Sequence, residues 1–193
     1  MIAQALTLAK ENGAALHASA EQLANEIVCT DGTFVVTGVG TSSFAAMKLS
    51  HLLNCYGEAT AYRDASNLSH GELGSLRRSD KLCAISIGGE SVELANPIQA
   101  CRRFGVPTIL ITANPASTLG KLADRCVNLG CIRDVDPDHG VALVSSIIIS
   151  VFVSDVCSVV SAMRPLSAAQ LLERHPGGNV GRKLENEKLH SQK

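Results

Sequence analysis

Five short apolar runs, each followed by a helix-forming stretch, limit the folds open to this chain more than any other feature. The runs are Phe34-Val35-Val36-Thr37, residues 59–63, Lys81 to Ser86, Val106 to Thr112, and Arg125 to Leu129. They are too short for helices and rich in β-branched residues, so they read as strands. Helical patterns cover residues 2–29, broken at Asn12-Gly13, then 43–53, 66–73, 91–104 (stopped by Gly105) and 116–122. A polar loop over 130–140 precedes a long apolar helix to about residue 163, and a last helix covers 167–174. Strands that alternate with helices build a parallel sheet joined by right-handed crossovers. The expectation is an α/β fold in one domain over residues 1–184, with a polar tail at 185–193 that frays.

Composition narrows the function. Trp is absent and aromatic residues make up 3%, so the core must be built from Ala, Val, Ile, Leu and Cys. Lys and Arg number 17 against 18 Asp and Glu, a net charge of −1. That balance offers no electrostatic footprint for duplex DNA, and a single-strand binder would want aromatic stacking platforms. No nucleic-acid partner is expected. The seven cysteines are odd in number and form no Cys-x-x-Cys pair. They read as buried reduced thiols, and no metal site is expected. The first residues carry no basic region ahead of an apolar stretch, so they do not read as a signal peptide. Both observations point to the cytoplasm. The apolar stretch from Val141 is broken by Ser145, Ser146, Ser150, Ser154, Asp155 and Ser158. It reads as a completely buried helix, with a subunit contact as one place for it, and not as a membrane span.

In open parallel sheets, ligands bind beyond the carboxyl ends of the strands. Three loops rich in small polar residues fall there: residues 38–43, 86–91 and 112–117. Glycine lets the backbone approach an anion, serine and threonine supply hydroxyls, and a following helix supplies free N–H groups. One such loop reads equally well as ordinary turn and cap residues. The matched pair at 38–43 and 86–91 points to a phosphate seat. The nucleotide alternatives fit less well. Gly38-x-Gly40-x-x-Ser43 lacks the third glycine of the dinucleotide fingerprint, although Asp64 stands where a ribose-binding acid could. The Gly-x4-Gly-Lys-Ser/Thr pattern is absent. No cofactor is expected.

Acids and histidines supply the candidate chemistry. Glu90 and Glu93 lie in or next to the first turn of a helix, where acids commonly offset the dipole. Asp134, Asp136, Asp138 and His139 group in one loop, but Pro137 intrudes and Ser145 occupies the twelfth position, so a calcium loop is not expected. His70 stands in Ser69-His70-Gly71-Glu72 and His175 before Pro176-Gly177-Gly178. Alone, each reads more readily as a surface or capping residue.

Together, these pieces resemble the sugar isomerase (SIS) domain family, and most closely its arabinose 5-phosphate isomerase branch. The matching segments are Gly38-Val39-Gly40-x-Ser42, Ser69-His70-Gly71-Glu72-Leu73-Gly74, Ala84-Ile85-Ser86-x-x-Gly89-Glu90-Ser91-x-Glu93 and Val106-Pro107-x-Ile109-x-Ile111-Thr112. They continue with Ser145-Ser146 and His175-Pro176-Gly177-Gly178-x-x-Gly181-Arg182-Lys183-Leu184. The last is the most specific. The resemblance implies a three-layer αβα sandwich around a five-stranded parallel sheet, assembled as a homotetramer. It implies interconversion of D-arabinose 5-phosphate and D-ribulose 5-phosphate, a step used in lipopolysaccharide sugar synthesis or in pentose catabolism. Many relatives continue into regulatory CBS domains, and this chain, ending at Lys193, is expected to be a stand-alone version.

The resemblance also assigns residues. The phosphate seat falls on Ser42, Ser86 and Ser91, with Gly40, Thr41 and Gly89 completing the loops. Gly88 replaces a family serine and Ile87 a family asparagine. Thr41 replaces a family lysine linked to catalysis. Catalytic positions fall on His175, Glu93, His70 and Asp134, the last if the one-residue insertion there lies after Pro137. An aldose–ketose isomerase needs a base at the C1–C2 edge and donors for an enediolate oxygen. His175 is the first choice of base, because its ordinary pKa lies near working pH. Glu93 or Asp134 would orient it or act as a second acid–base group, and His70 would polarise the carbonyl or assist ring opening. In the family the terminal histidine segment can reach a neighbouring subunit. A non-catalytic sugar-phosphate sensor, and an isomerase of another sugar phosphate such as a hexulose 6-phosphate, remain the alternatives. No helix-turn-helix precedes the domain, which weighs against a transcriptional regulator.

Overall fold

A computed structural model describes residues 2–132, 136, 141–179, 181–183 and 185 of the protein. Helices α1 (Ile2–Glu11) and α2 (Gly13–Val28) open the chain, parted at Asn12, whose side-chain amide donates to the Leu8 carbonyl at 2.9 Å. Then follow β1 (Phe34–Gly38), α3 (Thr41–Cys55), β2 (Thr60–Tyr62), α4 (Ala65–Ser69), β3 (Lys81–Ile85), α5 (Val92–Phe104), β4 (Thr108–Thr112), α6 (Thr118–Leu122) and β5 (Arg125–Asn128). Helices α7 (Val144–Met163) and α8 (Ala168–Arg174) follow, and residues 178–179, 181–183 and 185 are helical beyond them. All four strand pairings are parallel, in the order β2-β1-β3-β4-β5.

Alternate strand residues point to opposite faces, and both faces are covered. Phe34 and Val36 of β1, Cys83 and Ile85 of β3, and Ile109 and Ile111 of β4 pack against α2, α3 and α7. Val35, Leu82, Ala84 and Leu110 face α4, α5 and α6. The expected αβα sandwich is therefore present. Its small side chains let the layers lie close: Ala20, Ala24, Ala46 and Cys83 are fully buried. The amino ends of the strands are tied by carboxylates. Asp80 accepts the N–H of Thr33 and of Arg77, each at 2.7 Å, and Asp124 accepts the N–H and hydroxyl of Thr108 at 2.9 and 2.7 Å.

Several boundaries differ from the sequence reading. The helix expected over 66–73 is α4, then a turn at Gly71 (φ +128°) and a 3₁₀ turn at Glu72–Ser75. Strand β4 starts at Thr108, because Pro107 has no N–H to pair and offers only its carbonyl, to Leu82 at 2.9 Å. The loop expected from residue 130 begins with a 3₁₀ turn at Gly130–Ile132. The fraying expected of the tail concerns residues that lie almost wholly outside the described ones.

The long apolar helix needs a larger correction. It was expected to be completely buried. In the single chain, α7 buries one stripe, Ile148, Ile149, Phe152, Val153, Val156 and Val160, against α2 and α3. Val151, Ser154 and Ser158 lie on the opposite, exposed side. Its length and apolarity would suit a membrane span. Its exposed Ser154 and Ser158 on one side and its core-packed stripe on the other are those of a core helix. The cysteines divide similarly. Cys83, Cys101 and Cys157 are buried, and burial pushes the thiols of Cys101 and Cys157 up to about 12. Cys29, in contrast, is exposed just past the end of α2.

Candidate functional site

The chain leaves β1 for β2 on one side, while β3 lies on the other, so a crevice opens between β1 and β3 at their carboxyl ends. A cavity of about 600 Å³ occupies it. Its walls come from the start of α3 (Thr41, Ser42), the β3–α5 loop (Ser86 to Gly88, Glu90, Ser91) and the approach to α7 (Ile132, Asp136, Ala142, Ser145).

Two of the three serine- and glycine-rich loops meet here. In the first, Gly38 packs so tightly that a Cβ would lie 2.8 Å from the Ser42 carbonyl oxygen. Gly40 takes φ +58° to turn the chain into α3. In the second, the buried Ser86 hydroxyl sits 2.9 Å from that of Ser91. Ser91 is the N-cap residue of α5, yet its hydroxyl makes no capping bond. The first N–H groups of α3 and α5 thus stand at the cavity edge with serine hydroxyls beside them. A helix start of this kind attracts anions. Gly89 (φ +73°) lies behind the wall, where a Cβ would fall 2.0 Å from the Ser117 hydroxyl.

Asp136 closes the third side. Its carboxylate accepts the N–H of Val144 at 2.7 Å and of Ser145 at 3.1 Å, so it caps α7 from eight positions upstream. Partial burial pushes its pKa up. The bonds from the Ser145 hydroxyl and from the backbone at Ser145, Val144 and Leu143 outweigh that and hold it below the usual carboxylate range. Glu90 is likewise held low by bonds from the Thr118 hydroxyl and N–H, with the Lys121 charge adding to them. Among the described residues, the cavity wall carries these two carboxylates and no Lys, Arg or His. An anion there would be held by hydroxyls and backbone N–H groups.

Of the positions singled out in the sequence, Thr41, Ser42, Ser86 and Ser91 come together on one cavity. Gly40 and Glu93 line an adjoining recess of about 160 Å³, with Gly38, Ser43, Asp64 and Ser66. Gly89 supports the wall without lining it. His70 is exposed at the end of α4 and lines neither cavity. Asp134 lies outside the described residues, as do Asp138 and His139.

His175 is at the far end of the molecule. Helix α3 begins at the cavity and ends near Gly57, and α8 brings the Arg174 guanidinium over that glycine. Helix α7 runs the same way: Lys48 on α3 donates to the Ser150 carbonyl and to the hydroxyls of Ser150 and Ser154, and Arg164 pairs with Glu58 beyond the helix end. Its 20 residues are roughly 30 Å long, so His175, next to Arg174, lies about a helix length from the cavity. Among the described residues, the His175 Nδ1 is buried there without a hydrogen-bond partner.

The sequence reading missed Asp136 and Ser145 as cavity residues. Asp136 could have been singled out only as one of a group of acids, because a cap eight residues ahead of its helix follows no local spacing rule. No three His, Cys, Asp or Glu side chains among the described residues are arranged to hold a metal ion.

Comparison with known proteins gives the same picture. The SIS domain profile matches residues 26–159. The Salmonella typhi protein named arabinose 5-phosphate isomerase KdsD is 32% identical over 157 residues, covering 81% of this chain and 47% of its own length. The chain thus spans about half the length of the curated relatives it matches. A Listeria monocytogenes structure provisionally described as a sugar-phosphate isomerase superposes with a TM-score of 0.72 at 30% identity, covering 82% of this chain and 83% of the other. An Escherichia coli CFT073 protein solved in complex with A5P superposes with a TM-score of 0.83 at 22% identity, covering 91% and 93%. At that identity the likeness concerns the fold.

Proposed function

The chain belongs to the SIS domain family of sugar-phosphate isomerases, and on that premise we propose that it interconverts D-arabinose 5-phosphate and D-ribulose 5-phosphate through an enediol. The observation that carries the reading is the pair of hydroxyl-bearing loops, Ser42 and Ser86 with Ser91, opening on one cavity at two helix starts. The relationship at 32% identity to a protein named for this activity supports the choice of sugar.

In this reading the phosphate sits against Ser42, Ser86, Ser91 and the N–H groups that open α3 and α5. That fixes the open-chain sugar along the crevice. A base takes the C2 proton of the aldose as the carbonyl oxygen takes up a proton to form the enediol, and the proton returns to C1 as the C2 hydroxyl gives its proton up to become the ketose carbonyl. Glu93, which lines the recess formed with the first loop, is the acid of the family pattern that lies on the same side of the sheet as this arrangement within one chain. His175 cannot reach the cavity of its own chain. Its role as the proton-shuttling base therefore requires the cavity of a second copy in a homotetramer. His70 and Asp134 keep the supporting roles of the family pattern.

A second reading has its own observation. Thr41 stands where the family pattern has a lysine, and the described cavity wall holds no cation. A protein that binds the sugar phosphate without converting it would look like this. The deciding experiment supplies purified protein with arabinose 5-phosphate and with a panel including a hexulose 6-phosphate. Formation of ribulose 5-phosphate from the first alone is the expected result. Binding without turnover assigns the sensor, and turnover of another sugar corrects the substrate.

A further inference from the structure

Resting on the phosphate seat of the preceding section, we propose that Glu90 is a positioning residue: its carboxylate ties the outer half of the Ser86–Ser91 loop to the start of α6, and so sets the two serine hydroxyls for phosphate. The inner half of the loop is fixed by backbone. Ser86 N–H donates to the Ile111 carbonyl at 3.0 Å, and the Ile87 carbonyl accepts both the Ala113 N–H at 2.9 Å and the Thr112 hydroxyl at 3.0 Å. At Gly89 the carbonyl accepts the Leu119 N–H at 3.0 Å. Beyond Gly89, the tie across to the β4–α6 segment is the Glu90 side chain, whose Oε1 accepts the Thr118 N–H at 3.0 Å. Ser91 follows it directly, with its hydroxyl 2.9 Å from that of Ser86.

The arrangement resolves an electrostatic conflict. A carboxylate in the wall of an anion cavity opposes the ligand. Here the charge is turned onto the Thr118 N–H and hydroxyl and towards Lys121. An ionised acceptor makes a stronger bond than a neutral one, so the loop gains a firm anchor while the cavity feels less of the charge. Among the described residues, a Cβ at Gly88 would meet nothing within 4 Å, so side-chain packing adds no tie at that position.

The test compares Glu90→Ala with Glu90→Gln in the full chain, reading KM and kcat for arabinose 5-phosphate, binding of inorganic phosphate, and the ligand-free melting temperature. Loss of one such bond corresponds to about tenfold in binding. Glu90→Ala should raise KM and weaken phosphate binding together by about that factor, with kcat changed no more than about twofold. Glu90→Gln keeps the acceptor oxygen and should restore most of the binding. An unchanged KM in Glu90→Ala, tighter phosphate binding in either variant, or a glutamine as damaging as alanine would overturn the proposal. A wild-type chain that binds phosphate but isomerises nothing removes the proposed activity, and the phosphate readout still decides the role of Glu90. A wild-type chain that binds no phosphate removes both.

Discussion

At the scale of single residues, glycines with similar neighbours in sequence do different work. Gly88 and Gly89 are adjacent, yet only Gly89 combines a positive φ with a packed neighbour, Ser117. Gly89→Ala must both strain the backbone and displace the N-cap hydroxyl that accepts the Gly120 N–H at 3.1 Å. Backbone strain and cap loss together should cost about 2–4 kcal/mol. Gly88→Ala should stay within about 0.5 kcal/mol of wild type. Thermal melts of the two variants, made side by side, check this. Equal melting temperatures would mean that the loop relaxes freely around Gly89. The sequence marked both glycines as loop residues, Gly88 as a replacement of a family serine and Gly89 as a motif residue, but did not show which one packs. The difference comes from a contact 28 residues away along the chain, in another crossover.

At the scale of elements, α7 is held at its start and along its length by charged groups from elsewhere. At its start, Asp136 replaces a local N-cap: Leu143 occupies that position and makes no side-chain bond. Asp136→Ala should therefore cost about 1 kcal/mol in denaturant unfolding. Asp136→Asn, which keeps the acceptor, should recover most of it. The folded-state pKa of Asp136 is depressed, so its contribution is present above the ordinary carboxylate range and fades as pH falls through the folded value. Further along α7, His17 of α2 bonds to Asp155 at 3.0 Å and sits 3.8 Å from Glu21. The bond and charge of Asp155 raise its pKa, with a smaller contribution from Glu21. A raised pKa favours the folded state below pH 6.5, and the benefit disappears as pH rises through the folded value. His17→Gln should thus lower the melting temperature at pH 6 and leave it unchanged at pH 9. A pH-independent difference would place the effect in packing. Helix α7 was legible as an element from its apolar run, although that run read as complete burial and not as one core stripe. Its anchors were not, because His17 and Asp155 are 138 residues apart.

At the scale of the whole molecule, the placement of His175 decides how the protein can work. Within one chain it stands at the amino end of the sheet, roughly a helix length of 30 Å from the cavity. If it serves a second copy, two inactive variants should rescue each other. Mixing His175→Ala with Ser86→Ala under conditions that exchange subunits should restore a fraction of wild-type isomerase activity, since some cavities then combine an intact Ser86 with an intact His175. Absence of rescue, with subunit exchange verified by mass, would remove His175 from the reaction. The sequence by itself determined the five strands, their parallel order of crossovers and the loops that carry hydroxyls to the sheet's carboxyl edge. These depend on apolar period and on glycine and serine at strand ends, which are local properties. It also placed the family, since motif order survives without coordinates. Only the tertiary structure decided that Ser42, Ser86 and Ser91 share a cavity while Glu93 lines a separate recess, that Asp136 joins Glu90 in the wall, and that His175 is remote. Distance in space depends on how helices pack across the sheet, and chain order does not encode that packing residue by residue.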